Sequence, residues 1–385
     1  MEFDLSEDQR LIEASVDRLM AEQYDFARRK NYQTHPEGWS RPMWRRYADL
    51  GLLGLAFDEK YGGLGGTAVE TMIVMNAFGR ALMLEPFLPT VILGGGLLRR
   101  SARQALRDHY IPQIVAGEIT LAMAHHERQA RFDLFDVATT ARRRDGGWII
   151  DGEKGLVLNG DRADKLIVSA RVGGSTREAD GIGLFLVDPH AKGVSRRGYT
   201  GQDGLRAAEI RFEQVAVGPE DAIGEPGNDF TMLARVIDEA IAALCAEAVG
   251  AMAALQELTI DHLKQRRQFG RPIGDFQVLQ HRAVDMLMML EQARSMALYA
   301  TMMASHEDSR ERSKAMSAAK VQIGRSARFI GQQAIQLHGG IGLTMEYKAG
   351  HYFKRLTMID MMFGDADHHL AQLAQAGGLF EPAAF

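Results

Sequence analysis

The apolar residues of this 385-residue chain change their spacing twice, and this change constrains the fold more than any other feature. They recur every three or four positions up to about residue 117, alternate in short runs from about 119 to 226, and return to the wider spacing from about 228. A period near 3.6 is typical of helices that bury one face, and a period of two is typical of strands. The pattern therefore predicts helices, then a small β domain, then long helices.

This order of elements predicts an α+β chain with three domains. Their expected bounds are 1–118 for an N-terminal helical domain, 119–226 for a middle β domain and 227–385 for a C-terminal four-helix bundle. Ser6 is the expected N-cap of the first helix, because a serine hydroxyl accepts a bond from an early backbone amide. A late bundle helix is expected from about Ser313 to the glycines at Gly339, which favour a helix end.

Composition excludes several classes of function. The formal net charge is −5 and the sequence pI is about 6.2, so no basic face is expected for nucleic acid. The single cysteine, Cys245, allows neither an intramolecular disulfide nor a cysteine-based metal site. No signal peptide and no apolar run of about 20 residues is apparent, so we expect a cytoplasmic protein without membrane insertion.

Two strings carry the most specific information about function. The first is RRQFGRPIGDFQVLQH at Arg266–His281, and the second is QLHGGIG at Gln336–Gly342. The first resembles the acyl-CoA dehydrogenase signature that closes one bundle helix and opens the next, and the second resembles a late glycine-containing loop of that family. With the domain order, the resemblance covers residues 1 to 385. It implies the three-domain fold of the family, FAD as cofactor, and 2,3-desaturation of an acyl-CoA thioester.

The resemblance also implies that these two strings hold the FAD of a neighbouring subunit. Arg266 would pair with the pyrophosphate, and Phe269 would pack on the flavin or its ribityl chain. Gln336, Gly339 and Gly340 would let the backbone and an amide approach the adenosine end. The residues alone leave simpler readings open, in which the arginine is a solvated cation at a helix C-terminus and the glycines only end a helix.

The other half of the family's flavin site departs from its pattern. The family reads Thr-Glu-Pro, two residues and Gly-Ser-Asp where this chain has HERQARFD at 126–133, so only Glu127 and Asp133 match. Arg131 and Phe132 replace the small residues whose backbone and hydroxyl donors reach the flavin ring.

A second family string, Lys-x-Trp-Ile-Thr-Asn, reads KGLVLN at 154–159. Leu156 stands where the family has the tryptophan that covers the flavin, and Leu158 stands where it has a threonine that bonds the ring. Leucine offers no hydrogen bond to a flavin. The chain therefore lacks several contacts for a flavin of its own.

The catalytic base of the family is a glutamate that takes the α-proton of the substrate from one of two positions. Phe363 occupies the first position, in a loop after the glycine motif, and Ala240 occupies the second, on the first bundle helix. Glu239 is adjacent to that second position, but one residue along a helix is about 100° of rotation. Glu239 is therefore only a weak candidate, and the catalytic residue is unknown.

A group of titratable residues follows the first of these positions. Asp365, Asp367, His368 and His369 lie close together in sequence, but the two aspartates fit the N-cap and first turn of a last helix. We therefore expect no metal site.

The departures from the family pattern leave intact the half of the flavin site that serves a neighbour's FAD. They remove the contacts that would hold this chain's own flavin ring, and they remove the catalytic base. GDADHHL at 364–370 and HYFKR at 351–355 resemble the small subunit of pimeloyl-CoA dehydrogenase. That resemblance implies a large partner subunit carrying the glutamate, an α2β2 heterotetramer, and electron-transfer flavoprotein as acceptor. Two alternatives remain: a self-sufficient homo-oligomer that uses Glu239, and a non-catalytic scaffold without FAD. The sequence does not identify the acyl chain.

Overall fold

A computed structural model describes residues 4–378 of the chain. Its first region is helical, with these α-helices: α1 (Glu7–Gln23), α2 (Phe26–Tyr32), α3 (Arg41–Asp49), α4 (Ala68–Ala81), α5 (Gly95–Arg99) and α6 (Gln104–Val115). A buried π-helical segment, Leu88–Gly94, runs directly into α5. The expected N-cap is present, because the Ser6 hydroxyl accepts a hydrogen bond from the Gln9 amide at 3.2 Å.

The middle region forms a mixed sheet. Its strands are β1 (Leu121–Ala124), β2 (Thr140–Arg144), β3 (Gly147–Leu158), β4 (Lys165–Arg171), β5 (Ile182–Val187), β6 (Val194–Thr200) and β7 (Arg206–Val217). The strand order is β1-β4-β2-β3-β7-β6, and β5 pairs with β4. The buried side chains of Ile150, Phe185 and Phe212 lie in the core of this sheet. The β-rich runs of the sequence become strands, of which β1, β4 and β5 are buried along nearly their whole length.

The last region is helical again. Its elements are α7 (Phe230–Gln265), the hairpin strands β8 (Arg267–Gln268) and β9 (Arg271–Pro272), and then α8 (Gln277–Met303), α9 (Ser309–His338), α10 (Lys348–Met361) and α11 (Ala366–Gln375). Helix α9 begins four residues earlier than expected from Ser313, because the Asp308 carboxylate caps the amides of Arg310 and Glu311. The predicted α+β fold, with a helical region, a sheet and a helical bundle in this order, is confirmed.

By packing, the chain separates into two compact units that do not follow the linear order of the three regions. Among the described residues, the bundle unit contains 4–31, Ala68–Met83 and 241–378, and the sheet unit contains Tyr32–Thr67 and Leu84–Ala240. The domain boundaries expected near 118 and 226 stay a prediction. Within residues 4–378, no helix combines the length and apolar character needed to cross a membrane.

Two glycines determine how α4 and α7 cross in the bundle unit. A Cβ added at Gly79 would lie 1.9 Å from the Glu247 carbonyl oxygen, and one added at Gly250 would lie 1.9 Å from that of Asn76. Only glycine allows this approach, because a real Cβ would overlap the facing backbone. A buried ion pair then joins α10 to α7, with the Arg355 guanidinium contacting both Glu247 carboxylate oxygens at 2.6 and 2.7 Å.

Candidate functional site

The first family string forms a short hairpin after α7. The amide of Ile273 donates to the carbonyl of Arg266 at 2.8 Å, and β8 pairs with β9. Phe269 lies at the turn with φ of +52°, and 90% of its surface is exposed. The Phe269 ring is therefore available to contact another molecule.

The hairpin also presents cations beside its aromatic residues. The Arg271 guanidinium lies 4.2 Å from the centroid of the Phe276 ring, and Phe276 contacts Phe269 edge to face at 6.1 Å. Arg266 is exposed at the start of this group. Guanidinium groups and aromatic rings together suit a ligand that carries both phosphate and planar rings.

The second family string forms the end of α9. Gly339 terminates this helix with φ of +63°, a conformation that glycine adopts without strain. Apart from the glycines themselves and nearby residues of the same chain segment, no described atom lies within 4 Å of a Cβ added at Gly339 or at Gly340. The backbone there is therefore open, and the side chain of Gln336 is exposed in the preceding turn.

An aromatic stack joins the two strings within the bundle unit. The ring of His262, one turn before Arg266, lies 4.5 Å from the ring of His338, which precedes Gly339. Burial lowers the pKa of both imidazoles, and the proximity of His338 lowers that of His262 further. Tyr347 packs against His338 at 5.2 Å. The structure therefore brings the predicted residues of both strings to one end of the bundle unit.

The two altered strings of the sheet unit also meet, but through a buried ion pair. The Lys154 ammonium lies 2.6 Å from the Glu127 carboxylate, and the side chains are 0% and 4% exposed. The same ammonium donates to the His125 carbonyl at 3.1 Å and the Ser169 hydroxyl at 3.0 Å. The residues of these strings that match the family therefore hold β1, β3 and β4 together.

The Glu127 carboxylate is satisfied on its other side by backbone. It accepts hydrogen bonds from the amides of Ala138 at 2.8 Å and Thr139 at 3.0 Å. Burial alone would raise the pKa of Glu127, but Lys154 and these hydrogen bonds hold that pKa at about 2. Burial lowers the pKa of Lys154 to about 8, and Glu127 opposes that shift. This pair was not among the predicted site residues, although both members lie in strings that the sequence singled out.

The positions that have lost the flavin contacts keep an unusual backbone. Arg131, in the position of the family's glycine, has φ of +50°, and Leu156, in the position of the tryptophan, has φ of +45°. Both side chains are exposed. The left-handed conformation costs a side-chain-bearing residue about 1–2 kcal/mol. At these two positions the backbone is left-handed, and the exposed side chains offer no flavin contact of the family's kind.

The loop at Phe363, where the family has its catalytic glutamate, has no glutamate in this chain but is fixed by several hydrogen bonds. Phe363 has φ of +56°, and its carbonyl lies 2.9 Å from Nε2 of His369. The buried Lys320 ammonium donates to three carbonyls just before it, at distances of 2.7 to 3.0 Å: Ile359, Asp360 and Met362. The Phe363 side chain accepts no proton. Lys320 was missed by sequence reasoning, since nothing in the local pattern separates it from a surface lysine.

The second base position is equally without a titratable group. Ala240 is fully buried on α7, which is continuous through this point. The adjacent Glu239 carboxylate lies 2.5 Å from Nη2 of Arg99 and 3.5 Å from Nε of Arg235, and it also accepts from Arg100. Three guanidiniums therefore already contact this carboxylate and occupy both of its oxygens. This geometry weighs against Glu239 as a base, and the arginines at 99 and 100 gave no signal in the sequence.

The acidic and imidazole groups after Phe363 lie at the start of α11. The Asp365 carboxylate accepts from the His368 amide at 2.8 Å, as its position at the N-terminus of α11 predicts. Within residues 4–378 no group of three or more His, Cys, Asp or Glu side chains is arranged to hold a metal ion.

Comparison with known proteins relates all three regions to one family. Family profiles match residues 6–118 (acyl-CoA dehydrogenase, N-terminal domain), 122–215 (middle domain) and 230–378 (C-terminal domain). The chain is 29% identical over 332 residues to isovaleryl-CoA dehydrogenase of Solanum tuberosum. This match covers 84% of this chain and 79% of that protein.

Two further relatives match almost the whole length. Identity to the probable acyl-CoA dehydrogenase YngJ of Bacillus subtilis is 27% over 378 residues, covering 95% of this chain and 97% of that protein. The solved structure of a variant of the Tcur3481-Tcur3483 steroid ACAD superimposes with a TM-score of 0.86 at 27% identity, covering 96% of this chain and 97% of that one.

Proposed function

Because this chain belongs to the acyl-CoA dehydrogenase family, we propose that it is the base-lacking small subunit of a heteromeric, FAD-dependent enzyme that desaturates an acyl-CoA thioester at C2–C3. Its partner is a large subunit that carries the catalytic glutamate. The proposal rests on a contrast between the two halves of the family's flavin site. The strings at 266–281 and 336–342 form the intact half-site, and those at 126–133 and 154–159 form the altered one.

The intact half-site fits FAD. Arg266 suits the pyrophosphate because a guanidinium forms paired, charge-assisted bonds to phosphate oxygens. Phe269 offers an exposed apolar ring, and the open backbone at Gly339 and Gly340 leaves room for the adenosine end, with Gln336 beside it. When bound, FAD supplies the hydride acceptor of the reaction. The role of this chain's residues there is to bind and orient.

The altered half-site does not fit a flavin ring in the manner of the family. Leu156 and Leu158 donate no hydrogen bond, and Arg131 and Phe132 place bulk where the family has glycine and serine. Neither Phe363 nor Ala240 accepts a proton. A chain with these side chains needs a partner to supply both the flavin-ring contacts and the base.

The size and composition of the assembly follow from this division. Each small subunit would complete a site on a large subunit, which gives an α2β2 heterotetramer of the pimeloyl-CoA dehydrogenase type. The solved relative that matches at 27% identity is named as a pair of components, which supports a paired assembly. Electron-transfer flavoprotein is the acceptor that the family implies. A dicarboxylyl-CoA substrate rests only on the small-subunit resemblance.

Co-expression tests the proposal. The chain is produced alone and together with a large-subunit homologue, and both preparations are assayed for co-purification, flavin absorbance and acyl-CoA-dependent reduction of an artificial acceptor. We expect the two subunits to form a stable complex that contains FAD and oxidises acyl-CoA. The single chain is expected neither to contain FAD nor to oxidise acyl-CoA. Full flavin and activity in the single chain would favour the homomeric alternative instead. A colourless chain that binds no large subunit would favour the scaffold.

A further inference from the structure

The carboxylate of Glu239 lies among more positive charge than it can balance. Arg99 contributes Nη2 at 2.5 Å, Arg235 contributes Nε at 3.5 Å, and Arg100 contributes Nη2 to the other carboxylate oxygen. Three guanidiniums and one carboxylate give this arginine cluster a net charge of about +2 at neutral pH. All four side chains belong to the sheet unit.

The fold builds this cluster through close packing of α5. A Cβ at Gly95 would lie 2.6 Å from the Phe57 ring, and one at Gly96 would lie 3.3 Å from Val236 on α7. These approaches bring the end of α5, where Arg99 and Arg100 lie, against the first turns of α7. Arg235, the third arginine of the cluster, directly precedes Val236 in the sequence. The guanidiniums are therefore positioned by backbone packing, which is what a preorganised binding site requires.

The cluster keeps donors and solvent access for a further anion. Arg99 donates to the Ala56 carbonyl at 2.9 Å and to Glu239, and Arg100 donates to the Gly96 carbonyl at 3.1 Å and to Glu239. A guanidinium has five N–H donors, so these contacts use two on each side chain. The two side chains are 29% and 26% exposed. Burial, and then the neighbouring Arg99, lower the pKa of Arg100 to about 10, so it stays charged at pH 7.

We propose that the arginine cluster of Arg99, Arg100 and Arg235 binds a phosphate monoester, with Glu239 as an internal anion that sets its affinity. The two charges of such a phosphate match the net charge of the cluster, whereas a single carboxylate would leave it positive. Guanidinium forks also bind phosphate oxygens in pairs. This site shares no residue with the exposed hairpin of the bundle unit, and the proposal does not depend on the proposed dehydrogenase role.

Calorimetric titration of the full chain with inorganic phosphate, at constant ionic strength maintained with chloride, tests the proposal. We expect saturable binding at one site, weakened about tenfold or more in Arg99→Gln. Glu239→Gln should change affinity in the opposite direction, by about fivefold or more, because the net charge rises. Arg142→Gln, which removes an exposed arginine from β2 of the same unit, serves as the matched control and should bind as the wild type does.

The opposite signs of the two variants keep the test independent of folding, which thermal unfolding of each variant verifies. Absence of saturable phosphate binding in both the wild type and Glu239→Gln overturns the proposal, as does an equal effect of Arg99→Gln and Arg142→Gln. The source of the phosphate is distinguished by comparing coenzyme A with dephospho-coenzyme A, which lacks the monoester. Tighter binding of coenzyme A assigns the site to a phosphate carried on a larger molecule, and equal binding assigns it to the free ion.

Discussion

The exposed hairpin and glycine turn of the bundle unit differ from the two altered strings of the sheet unit in what each has kept. The hairpin has the residue types of the family string, with Phe269 and Arg266 presented to solvent. The sheet strings keep a left-handed backbone at Arg131 and Leu156 but have lost the donors a flavin ring needs.

The comparison also shows which matches to a family motif concern folding. Glu127 and Lys154 match the family, yet they form a buried ion pair within the sheet. Their retention follows from what the sheet needs, because either charge alone would be buried without compensation. A partial motif match is therefore weak support for ligand binding unless the matching residues are open to a ligand.

The largest expected effect concerns turnover. The purified single chain with added FAD should oxidise an acyl-CoA at least about 10⁴-fold more slowly than its complex with a large subunit, because a positioned base alone contributes about 10²–10⁴ and the flavin contacts are also lost. The measurement is reduction of an artificial acceptor. Robust activity that Glu239→Gln abolishes would contradict this expectation and show that the chain has its own base.

The next effect concerns the ion pair of the sheet unit. Lys154→Met should lower the free energy of unfolding by about 3–5 kcal/mol, since it leaves the Glu127 carboxylate buried and unpaired. Urea unfolding monitored by fluorescence measures this loss. Lys165→Met is the matched control: that lysine pairs with Asp188 on the surface, so its loss should cost about 0–1 kcal/mol. Equal losses of unfolding free energy in the two variants would show that the buried Lys154–Glu127 pair does not stabilise this part of the sheet unit more than a surface pair does.

The same pair predicts acid sensitivity. The pKa of Glu127 in the folded chain is about 2, below the ordinary 4.5, so its stabilisation is present above pH 4.5 and is lost as pH falls through 2. A shift of this size corresponds to about 3 kcal/mol. Glu127→Gln should be less stable at pH 7 and should lose less further stability between pH 4.5 and 2. Parallel stability curves for the wild type and the variant in this window would refute the assignment.

The contribution of the hairpin is measured by FAD retention in the complex with a large subunit. Arg266→Ala should raise the dissociation constant for FAD about 10- to 100-fold, the contribution of a charge-assisted bond to phosphate. Arg267→Ala removes the adjacent exposed arginine, which donates to the Gly270 carbonyl at 3.2 Å, and should leave retention nearly unchanged. If both substitutions release FAD equally, the hairpin acts only through its general charge.

The smallest expected effect concerns the left-handed backbone at Arg131, in the altered string at 126–133. Arg131→Gly should stabilise the chain by about 0.5–1 kcal/mol, because relief of the left-handed conformation exceeds the added entropy of glycine. Arg128→Gly is the control, since Arg128 is also exposed but does not have positive φ, and this change should destabilise. The midpoint of urea unfolding distinguishes the two. Destabilisation by both would remove the argument from strain.

Much of the fold was predictable from spacing alone. The apolar period predicted the order of helices, sheet and bundle, and the caps at Ser6 and Asp365 followed from local chemistry. The cap that starts α9 at Ser309 was missed, because the residues between 304 and 313 carry no apolar period.

The candidate site was predictable only where function depends on a contiguous string. Arg266, Phe269 and Gly339 were found because they lie in two short motifs, and their part in FAD binding stays a prediction. Long-range contacts gave no local signal. The approach of Arg99 to Glu239 spans 140 residues, and the contact of Lys320 with the α10 carbonyls spans about 40.

The number of FAD molecules per chain in the purified complex with a large subunit tests the central claim most directly. If only the large subunit holds a flavin ring and this chain completes the site, the complex contains one FAD for each pair of chains. Quantification of released FAD against the total concentration of both subunits measures this ratio. We predict one FAD for every two chains. One FAD for every chain, or a single chain that retains FAD in equal amount, would contradict the account.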